Sequence, residues 1–425
     1  MALVKIKFLG GTREVGASAI QIQNNGRSML LDYGARLRKE NRFPLSVEDS
    51  NVELAVISHA HIDHSGAIPL IYKQFPHAEI VATSPTLAFT KILIEDMIRL
   101  SGNSLPFTYK DVKKVIKKAE KLNYDVEYET DNFSVTLMNA GHIPGSSTIL
   151  AIIDDFRIWY SGDINTIETQ LLAPAKRKIP DVDAIIIEST YALRKHPPRQ
   201  DVEREFVDTL RECVERGGVA LVPAFSVGRA QEVLSILAKY NFEYPVVLDG
   251  MARIASEITL KYSNFIKNKK LLQKALNMAH WVKDGSERKG LVVDPKVIVS
   301  PAGMLQGGSA QYYIKHIYSD ETSGIYLVGY QVKGTLGYRL LNERTVRLGR
   351  KVKKVDAEVK FFELSSHSDR DELLNLVKHV DGDTKVFVVH GDLESAIGFA
   401  QELRESYDID AVAPQEGDTF ILANS

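Results

Sequence analysis

The sequence of 425 residues predicts an α/β protein in which one domain is interrupted by another. Two observations lead to this prediction. Short apolar runs rich in Val and Ile recur near both ends of the chain, and each is followed at once by a histidine or an acid. From about residue 193, strands and helices alternate instead, which indicates a doubly wound and mainly parallel sheet. The predicted segments are 1–192, 193–358 and 359–425, with the middle one inserted into the domain formed by the other two.

The composition is typical of a globular protein, with 44% hydrophobic and 25% charged residues. Cys213 is the only cysteine, so a disulfide framework and a thiolate metal site are excluded. The N-terminal residues lack the apolar core of a secretion signal, and no apolar run reaches membrane-spanning length. We therefore expect a cytoplasmic protein with no membrane partner. The net charge of −2 means that binding to nucleic acid would depend on local basic surfaces.

The first strands are predicted at Val4–Leu9, Ala19–Gln23 and Ser28–Asp32. Asp32 lies at the end of an apolar strand, where a buried carboxylate needs a partner. It can orient a metal-bound histidine, or it can simply turn the chain, and the local sequence leaves both open.

The densest group of metal-ligating residue types extends from Ser58 to His64, after the predicted strand Leu54–Ile57. Three of the chain's 11 histidines fall within six positions here, a density that an ordinary surface turn rarely has. His59 and His61 can point into one metal ion, while Asp63 and His64 can face a second. Imidazole and carboxylate ligands suit zinc, manganese or iron. The chain from Ser65 to about residue 125 has a helical pattern.

Five more residues of the same types follow later strands or lie on tight turns. Each signal is weak alone, but their shared placement at strand ends makes them strong together. They are His142, Asp163, Glu188, His367 and His390.

The middle segment predicts a helix at Asp201–Arg216 and strands that are each followed by a glycine-containing loop or a helix start. Three of these loops suit anions, because glycine-rich turns at helix N-termini present free N–H groups to phosphates. Plain turn chemistry is the alternative for each, and none has the lysine and spacing of a nucleotide P-loop. The candidate phosphate-binding residues are Ser226 and Arg229, Gly303, and Lys333, Gly334 and Thr335.

Two basic runs stand out, at Lys110–Lys121 and Arg339–Lys354. The first has the apolar spacing of a helix with a solvated charged face. The second is of more interest, because it leads directly into the strand before His367.

With these motifs in place, the chain closely resembles the β-CASP group of the metallo-β-lactamase superfamily, which comprises nucleases that process RNA and DNA. The resemblance extends over nearly all 425 residues. It implies an αββα metallo-β-lactamase sandwich carrying an inserted β-CASP domain. The motifs that carry it are Asp32, the His59–His64 cluster, His142, Asp163, Glu188, His367, His390 and the stretches 223–229 and 329–331.

The resemblance implies two metal ions, most often zinc, with manganese also compatible. It assigns His59, His61 and His142 to one ion; Asp63, His64 and His390 to the other; Asp163 to both; and Asp32 to a supporting position behind the ligands. A histidine at the position of His390 is typical of the RNA-processing members, whereas the DNA-repair members carry valine.

The implied activity is hydrolysis of RNA phosphodiester bonds, since two cations about 3.5–4 Å apart can generate hydroxide and stabilise an in-line displacement. Asp63 and His64 would act through the metal, and His367, oriented by Glu188, would protonate the leaving oxygen. The partner would be single-stranded RNA, cut as an endonuclease or as a 5′→3′ exonuclease. A homodimer and association with RNA-processing or exosome-type complexes are compatible with the resemblance. Longer archaeal relatives begin with KH-type domains, whereas here the metal-binding domain begins at residue 1.

Two other function classes are alternatives. A small-molecule hydrolase of the thioesterase or lactonase kind would need neither the inserted domain nor the pair of Glu188 and His367. A non-catalytic RNA-binding subunit of a processing complex would be expected to have lost metal ligands, and here the whole set is present.

Overall fold

The computed structural model describes residues 3–36, 42–47, 51–349, 351–380 and 382–423. The chain divides into two compact units. The first comprises residues 1–168, 174–195 and 367–425, and the second comprises residues 169–173 and 196–366. The sequence prediction assigns residues 359–366 to the C-terminal segment, but they belong to the second unit. The reason is that the strand Glu358–Phe361 pairs in parallel with Gly324–Leu327 of that unit.

The first unit contains two seven-stranded sheets, and a shared apolar core includes buried residues from both. In spatial order the strands of one sheet are Thr419–Ala423, Leu3–Gly10, Ala19–Asn24, Arg27–Tyr33, Asn51–Val56, Glu79–Ala82 and Glu120–Lys121. Those of the other are Ala411–Val412, Lys385–Val389, Ala184–Glu188, Phe156–Tyr160, Ser147–Ile153, Phe133–Asn139 and Glu127–Glu129.

Helices pack on the outer face of each of these two sheets through separate apolar clusters. The layers are thus helix, sheet, sheet and helix, which confirms the predicted sandwich. The helices are Ile62–Ser65, Ile68–Gln74, Ser84–Ser101, Tyr109–Lys118, Arg370–Val377 and Leu393–Tyr407, with a 3₁₀ turn at Gly102–Ser104.

One element of the first unit differs from the sequence prediction. The pattern predicts helix throughout residues 65–125, but Glu79–Ala82 forms a strand beside Asn51–Val56. This strand is only four residues long, which is too short for a clear alternation of apolar and polar residues to distinguish it from the helices on either side. Pairing with a neighbouring strand decides its conformation.

The second unit is built on a six-stranded sheet whose strand pairs are all parallel. Alternate residues of its central strand Val219–Pro223 enter two different apolar cores, so helices cover both faces as predicted. The strands, in order, are Ala279–Trp281, Val246–Leu248, Lys296–Ser300, Val219–Pro223, Gly324–Leu327 and Glu358–Phe361. The helices are Arg199–Glu215, Arg229–Lys239, Met251–Lys261, Lys269–Met278, Arg288–Leu291, Ala310–Ile317 and Leu336–Glu343, with 3₁₀ turns at Ser263–Phe265 and Gly285–Glu287.

A separate two-stranded hairpin, Thr345–Leu348 with Lys351–Lys354, follows the last of these helices. Across the described residues of both units, no helix combines the length and apolar character that spanning a bilayer requires.

Candidate metal centre

The predicted ligands converge within the first unit at the ends of strands from both of its seven-stranded sheets. His59 and His61 follow the strand Asn51–Val56, Asp163 follows Phe156–Tyr160, and His390 follows Lys385–Val389. The sequence predicts each of these residues after a strand. Phe156–Tyr160 and Lys385–Val389 lie on either side of one strand in the same sheet, whereas Asn51–Val56 belongs to the other sheet, so the packing of the two sheets brings the strand ends together.

Gly162 allows the two sheets to approach each other at this site. Its φ is +51°, and a Cβ atom built on it would lie 2.8 Å from the Cβ atom of Ser58. Any larger residue would therefore push Asp163 away from the His59 side of the cluster.

Four side chains form a first ligand group, in which the candidate ligand atoms of His59, His61, His142 and Asp163 all lie within 4.8 Å of one another. The Nδ1 atom of His61 lies 3.2 Å from Nε2 of His59 and 3.1 Å from Nε2 of His142. A neutral imidazole carries one N–H and one lone pair, so such facing nitrogens bring several lone pairs to one point. A divalent cation fits this arrangement.

Burial lowers the pKa of each histidine in this group. The pKa of His61 falls to about 3, with His59 as the next largest cause. The pKa values of His59 and His142 are also lowered, again chiefly by burial. At neutral pH these imidazoles are therefore uncharged, which is the form that binds metal.

A second ligand group consists of Asp63, His64 and His390, whose candidate ligand atoms also lie within 4.8 Å of one another. Nε2 of His390 is 3.1 Å from Nε2 of His64 and 3.3 Å from Oδ2 of Asp63. Although burial alone would raise the pKa of Asp63, the hydrogen bond and charge of His390 and the charge of His64 lower it. Asp63 is thus an anion at neutral pH.

Asp163 presents one carboxylate oxygen to each group. Its Oδ2 is 3.4 Å from Nε2 of His59 and 3.5 Å from Nε2 of His142. Its Oδ1 is 3.2 Å from Nε2 of His64 and 3.1 Å from Nδ1 of His390. One buried carboxylate therefore lies between the two sets of ligands.

Asp32 lies behind His64 and accepts several hydrogen bonds. Its Oδ2 is 2.7 Å from Nδ1 of His64, and it accepts from the Ser58 and Tyr160 hydroxyls at 2.7 and 2.8 Å. The bond from Nδ1–H fixes the tautomer that leaves the Nε2 lone pair of His64 directed towards the other ligands. Burial would lower the pKa of His64, but Asp163 and Asp32 raise it well above its usual value, so a metal ion that binds Nε2 would displace a proton from it.

Ser58 and Tyr160 are site residues that the sequence analysis missed. Tyr160 ends an apolar strand whose sequence drew attention only to Asp163, and a buried phenol at a strand end requires a hydrogen-bond partner. The position of Tyr160, three residues before Asp163 at the end of an apolar strand, could have indicated a role at the site. Its hydrogen bond to Asp32, however, is seen only in the fold.

We expect Asp32→Asn to weaken metal binding about 10- to 100-fold, because an amide cannot replace the carboxylate that orients His64. The measurement is a competition titration of zinc against a chelating dye. Asp125→Asn is a matched control, since Asp125 also has a φ of +59° but is exposed and pairs with Lys176. Equal zinc affinities of the two variants would show that Asp32 has no role at the metal.

His367 and Glu188 form a pair beside the ligands. Nδ1 of His367 lies 3.0 Å from both carboxylate oxygens of Glu188, while its Nε2 lies 3.9 Å from Oδ2 of Asp163. Glu188 is fully buried, whereas the His367 side chain is 15% exposed. Glu188 can also be grouped with Asp163 and His390 by distance alone. Its bonds to His367 and to the Ile164 N–H, at 2.8 Å, favour an orienting role.

The candidate phosphate-binding loops lie in the second unit. They follow three adjacent parallel strands, Lys296–Ser300, Val219–Pro223 and Gly324–Leu327, at the carboxyl edge of its sheet. Ligands of doubly wound proteins commonly bind at this edge.

The candidate residues of these loops differ in exposure and in their hydrogen bonds to the rest of the protein. Lys333 and Gly334 are exposed, and Ser226 is half-buried. The Thr335 hydroxyl accepts from the Tyr338 N–H at 3.2 Å and so caps the helix Leu336–Glu343. The Arg229 side chain is buried and donates to the Leu364 carbonyl, and the Gly303 carbonyl accepts from Gln331. Contact of these loop residues with phosphate remains a prediction. The hydrogen bond of Arg229 to the Leu364 carbonyl also gives this side chain a role in holding the fold together.

Three family models match this chain. The Beta-Casp domain matches residues 230–340, and the Zn-dependent metallo-hydrolase RNA specificity domain matches residues 352–414. The model of the anti-Pycsar protein Apyc1 matches residues 9–196.

Curated relatives cover nearly the whole chain. RNase aCSPSF2 from Saccharolobus solfataricus is 39% identical over 98% of this chain and 85% of its own length. Probable RNase MJ4 from Methanocaldococcus jannaschii is 34% identical over 98% of this chain and 99% of its own. Transcription termination factor FttA from Methanocaldococcus jannaschii is 31% identical over 98% of this chain and 71% of its own length.

A crystal structure of a protein of unknown function from Enterococcus faecalis V583 has the same fold. It superposes with a TM-score of 0.63 at 14% identity, over 99% of this chain and 100% of that one.

Proposed function

The chain belongs to the β-CASP family of the metallo-β-lactamase superfamily, and we propose that it is a metal-dependent ribonuclease that cleaves single-stranded RNA. The observation that carries the proposal is the position of Asp163, with one oxygen towards each ligand group. This arrangement supports two ions, one held by His59, His61 and His142 and the other by Asp63, His64 and His390. The nitrogen-rich first set favours zinc over manganese.

Divalent cations held by these two ligand groups would activate water for attack and stabilise the charge that develops on the phosphodiester. Asp163 spans the two ligand groups and fixes their separation. His367 holds a proton at Nε2, on the side of Asp163, and donates it to the leaving oxygen. Glu188 accepts from Nδ1–H of His367 and keeps the ring in that orientation. Lys333, Gly334 and Ser226 contact the RNA backbone.

RNA is favoured as the substrate by two observations. Histidine at position 390 is the residue expected of the RNA-processing members of this family. The relatives from Saccharolobus and Methanocaldococcus are both named as ribonucleases.

The test is a time course with 5′-end-labelled single-stranded RNA, in which the wild type is compared with His64→Ala in added zinc or manganese. Cleavage by the wild type alone supports the proposal. Labelled mononucleotide from the first time point would identify a 5′→3′ exonuclease, and labelled fragments of intermediate length an endonuclease.

The same experiment separates the alternatives. RNA that is bound but uncut with either metal would indicate a non-catalytic subunit. RNA that is neither bound nor cut, together with turnover of a thioester or lactone, would indicate a small-molecule hydrolase.

A further inference from the structure

The hairpin Thr345–Lys354 concentrates positive charge. The segment 344–354 has six arginines and lysines and no acid, although the whole chain has a net charge of −2. Arg347 and Lys351, Lys353 and Lys354 are exposed.

Among the acids that the structure describes, none pairs with the exposed side chains of this hairpin. None of the four exposed side chains forms an ion pair with another residue that the structure describes. By contrast, Arg211, elsewhere in the same unit, pairs with both Asp208 and Glu243. Cations that have no acidic partner are available to an external anion. A cluster of them also raises the local concentration of that anion at the protein surface.

Two apolar side chains of the first strand of the hairpin pack against the second unit. Val346 is buried, and Leu348 is half-buried against the apolar core that includes Ile314 and Leu340. The strand Lys351–Lys354, which carries three of the basic side chains, pairs with this anchored strand, and such pairing reduces the entropy lost when the side chains bind a ligand.

A cavity of about 370 Å³ lies at the base of the hairpin. Its volume is within the range of sites that bind small ligands. Lys315 and Arg347 supply cations at its wall, and Gln311 supplies an amide. Its apolar lining includes Leu305, Ile314, Leu336, Val346 and Leu348.

One residue that lines the cavity directly follows a proposed phosphate-binding loop in the sequence. Leu336, which lines it, is the first residue of the helix capped by Thr335 and directly follows Lys333–Thr335. An RNA strand whose backbone lies on that loop would therefore meet the cavity with an adjacent nucleotide.

We propose that this cavity binds one unstacked nucleobase of single-stranded RNA, while the hairpin cations and Lys315 bind the phosphates on either side. A base has apolar faces that fit the aliphatic lining and polar edges that can donate to Oε1 of Gln311, whose Nε2 donates to the Leu305 carbonyl. The proposal rests on the proposed function, because it assumes that RNA is the substrate.

An acidic peptide is a weaker fit to the same surface. Its carboxylates would satisfy the cations, but short charged side chains would leave the aliphatic cavity unfilled. A nucleotide supplies both the anion and a flat, largely apolar group.

The first test replaces Lys351, Lys353 and Lys354 with glutamine and measures binding of a fluorescein-labelled oligouridine by anisotropy. The variants are made in the His64→Ala protein so that the RNA is not cut. We expect the dissociation constant to rise at least about tenfold. The slope of log affinity against log salt should become shallower by about 2, since each phosphate contact on a single strand contributes about 0.7.

The matched control removes three exposed lysines from the helix Tyr109–Lys118, as Lys110, Lys113 and Lys117→Gln. It changes the net charge equally, so its affinity should remain within about twofold of the parent. Equal weakening of the two triple variants would overturn the proposal, because it would reflect net charge alone.

A second test addresses the cavity. Leu348→Trp places a bulky group in it without changing charge, so it should weaken binding while leaving the salt slope unchanged. Because a bulky group can also destabilise the hairpin, photocrosslinking of 4-thiouridine RNA to the protein with an unaltered hairpin provides an independent measurement, and the crosslink should map to the cavity-lining residues.

Three results would overturn the inference: crosslinks confined to the first unit, RNA affinity unaffected by the hairpin substitutions, or displacement of RNA by polyglutamate at equal concentration. If the time course nevertheless shows cleavage, the proposed function stands and only this site is wrong.

Discussion

Replacing His64 with alanine is expected to reduce RNA cleavage about 10³-fold or more. His64 lies within 3.2 Å of His390 and Asp163, and its Nδ1 is 2.7 Å from Oδ2 of Asp32. In the proposed two-ion site, its loss would remove the ion held with Asp63 and His390, and with it the water activation and charge stabilisation that this ion would supply. That contribution is about 4 kcal/mol, and each 1.36 kcal/mol of barrier is about tenfold in rate. The measurement combines single-turnover cleavage with metal content per chain.

His77→Ala is the matched control, because His77 is an exposed histidine of the same unit and contacts only Asn51 among the hydrogen bonds described. We expect His77→Ala to keep wild-type activity and metal content. His64→Ala with two bound metals and full activity would remove His64 from the site.

His367→Ala is expected to slow cleavage of RNA about 10²- to 10⁴-fold, the usual contribution of a positioned general acid. Metal content should persist, because the ligand groups do not require His367. The specific readout is the leaving group. An activated diester such as bis(p-nitrophenyl) phosphate releases a phenolate that needs little protonation, so the variant should hydrolyse it nearly as fast as the wild type.

Glu188→Gln should reproduce this pattern in weaker form, since it would misorient His367 without removing it. His379→Ala, an exposed site just beyond the helix Arg370–Val377, is the control and should leave both substrates unaffected. Loss of metal from His367→Ala would instead make His367 a ligand. Equal slowing with both substrates would exclude proton donation.

Much of the site could be predicted because its chemistry is local in the sequence. His59, His61, Asp63 and His64 occupy one turn, and so dense a cluster of ligand types rarely occurs in a protein that binds no metal. His142, Asp163 and His390 were more difficult to predict, since each is a single residue after a strand or on a turn. Their prediction depended on the shared placement at strand ends, and the sheet order of the fold brings them together.

What the sequence could not reveal depends on contacts between distant segments. Tyr160 and Asp32 are 128 residues apart, and their hydrogen bond exists only because the two sheets pack together. The strand Glu79–Ala82 is too short to have a distinctive pattern, and its neighbour determines its conformation. The glycine-rich loop predicts Arg229 as a phosphate ligand, but the bond of Arg229 to the Leu364 carbonyl depends on a residue 135 positions away.

The most direct test of the metal-dependent ribonuclease assignment is a metal titration of the chelator-treated protein, with single-stranded RNA as substrate. We predict that cleavage is lost on chelation and returns in proportion to added zinc, saturating at two equivalents per chain. Restoration that saturates at one equivalent would contradict the bridging position of Asp163 between two ions. Cleavage that survives complete removal of metal would contradict the assignment as a whole.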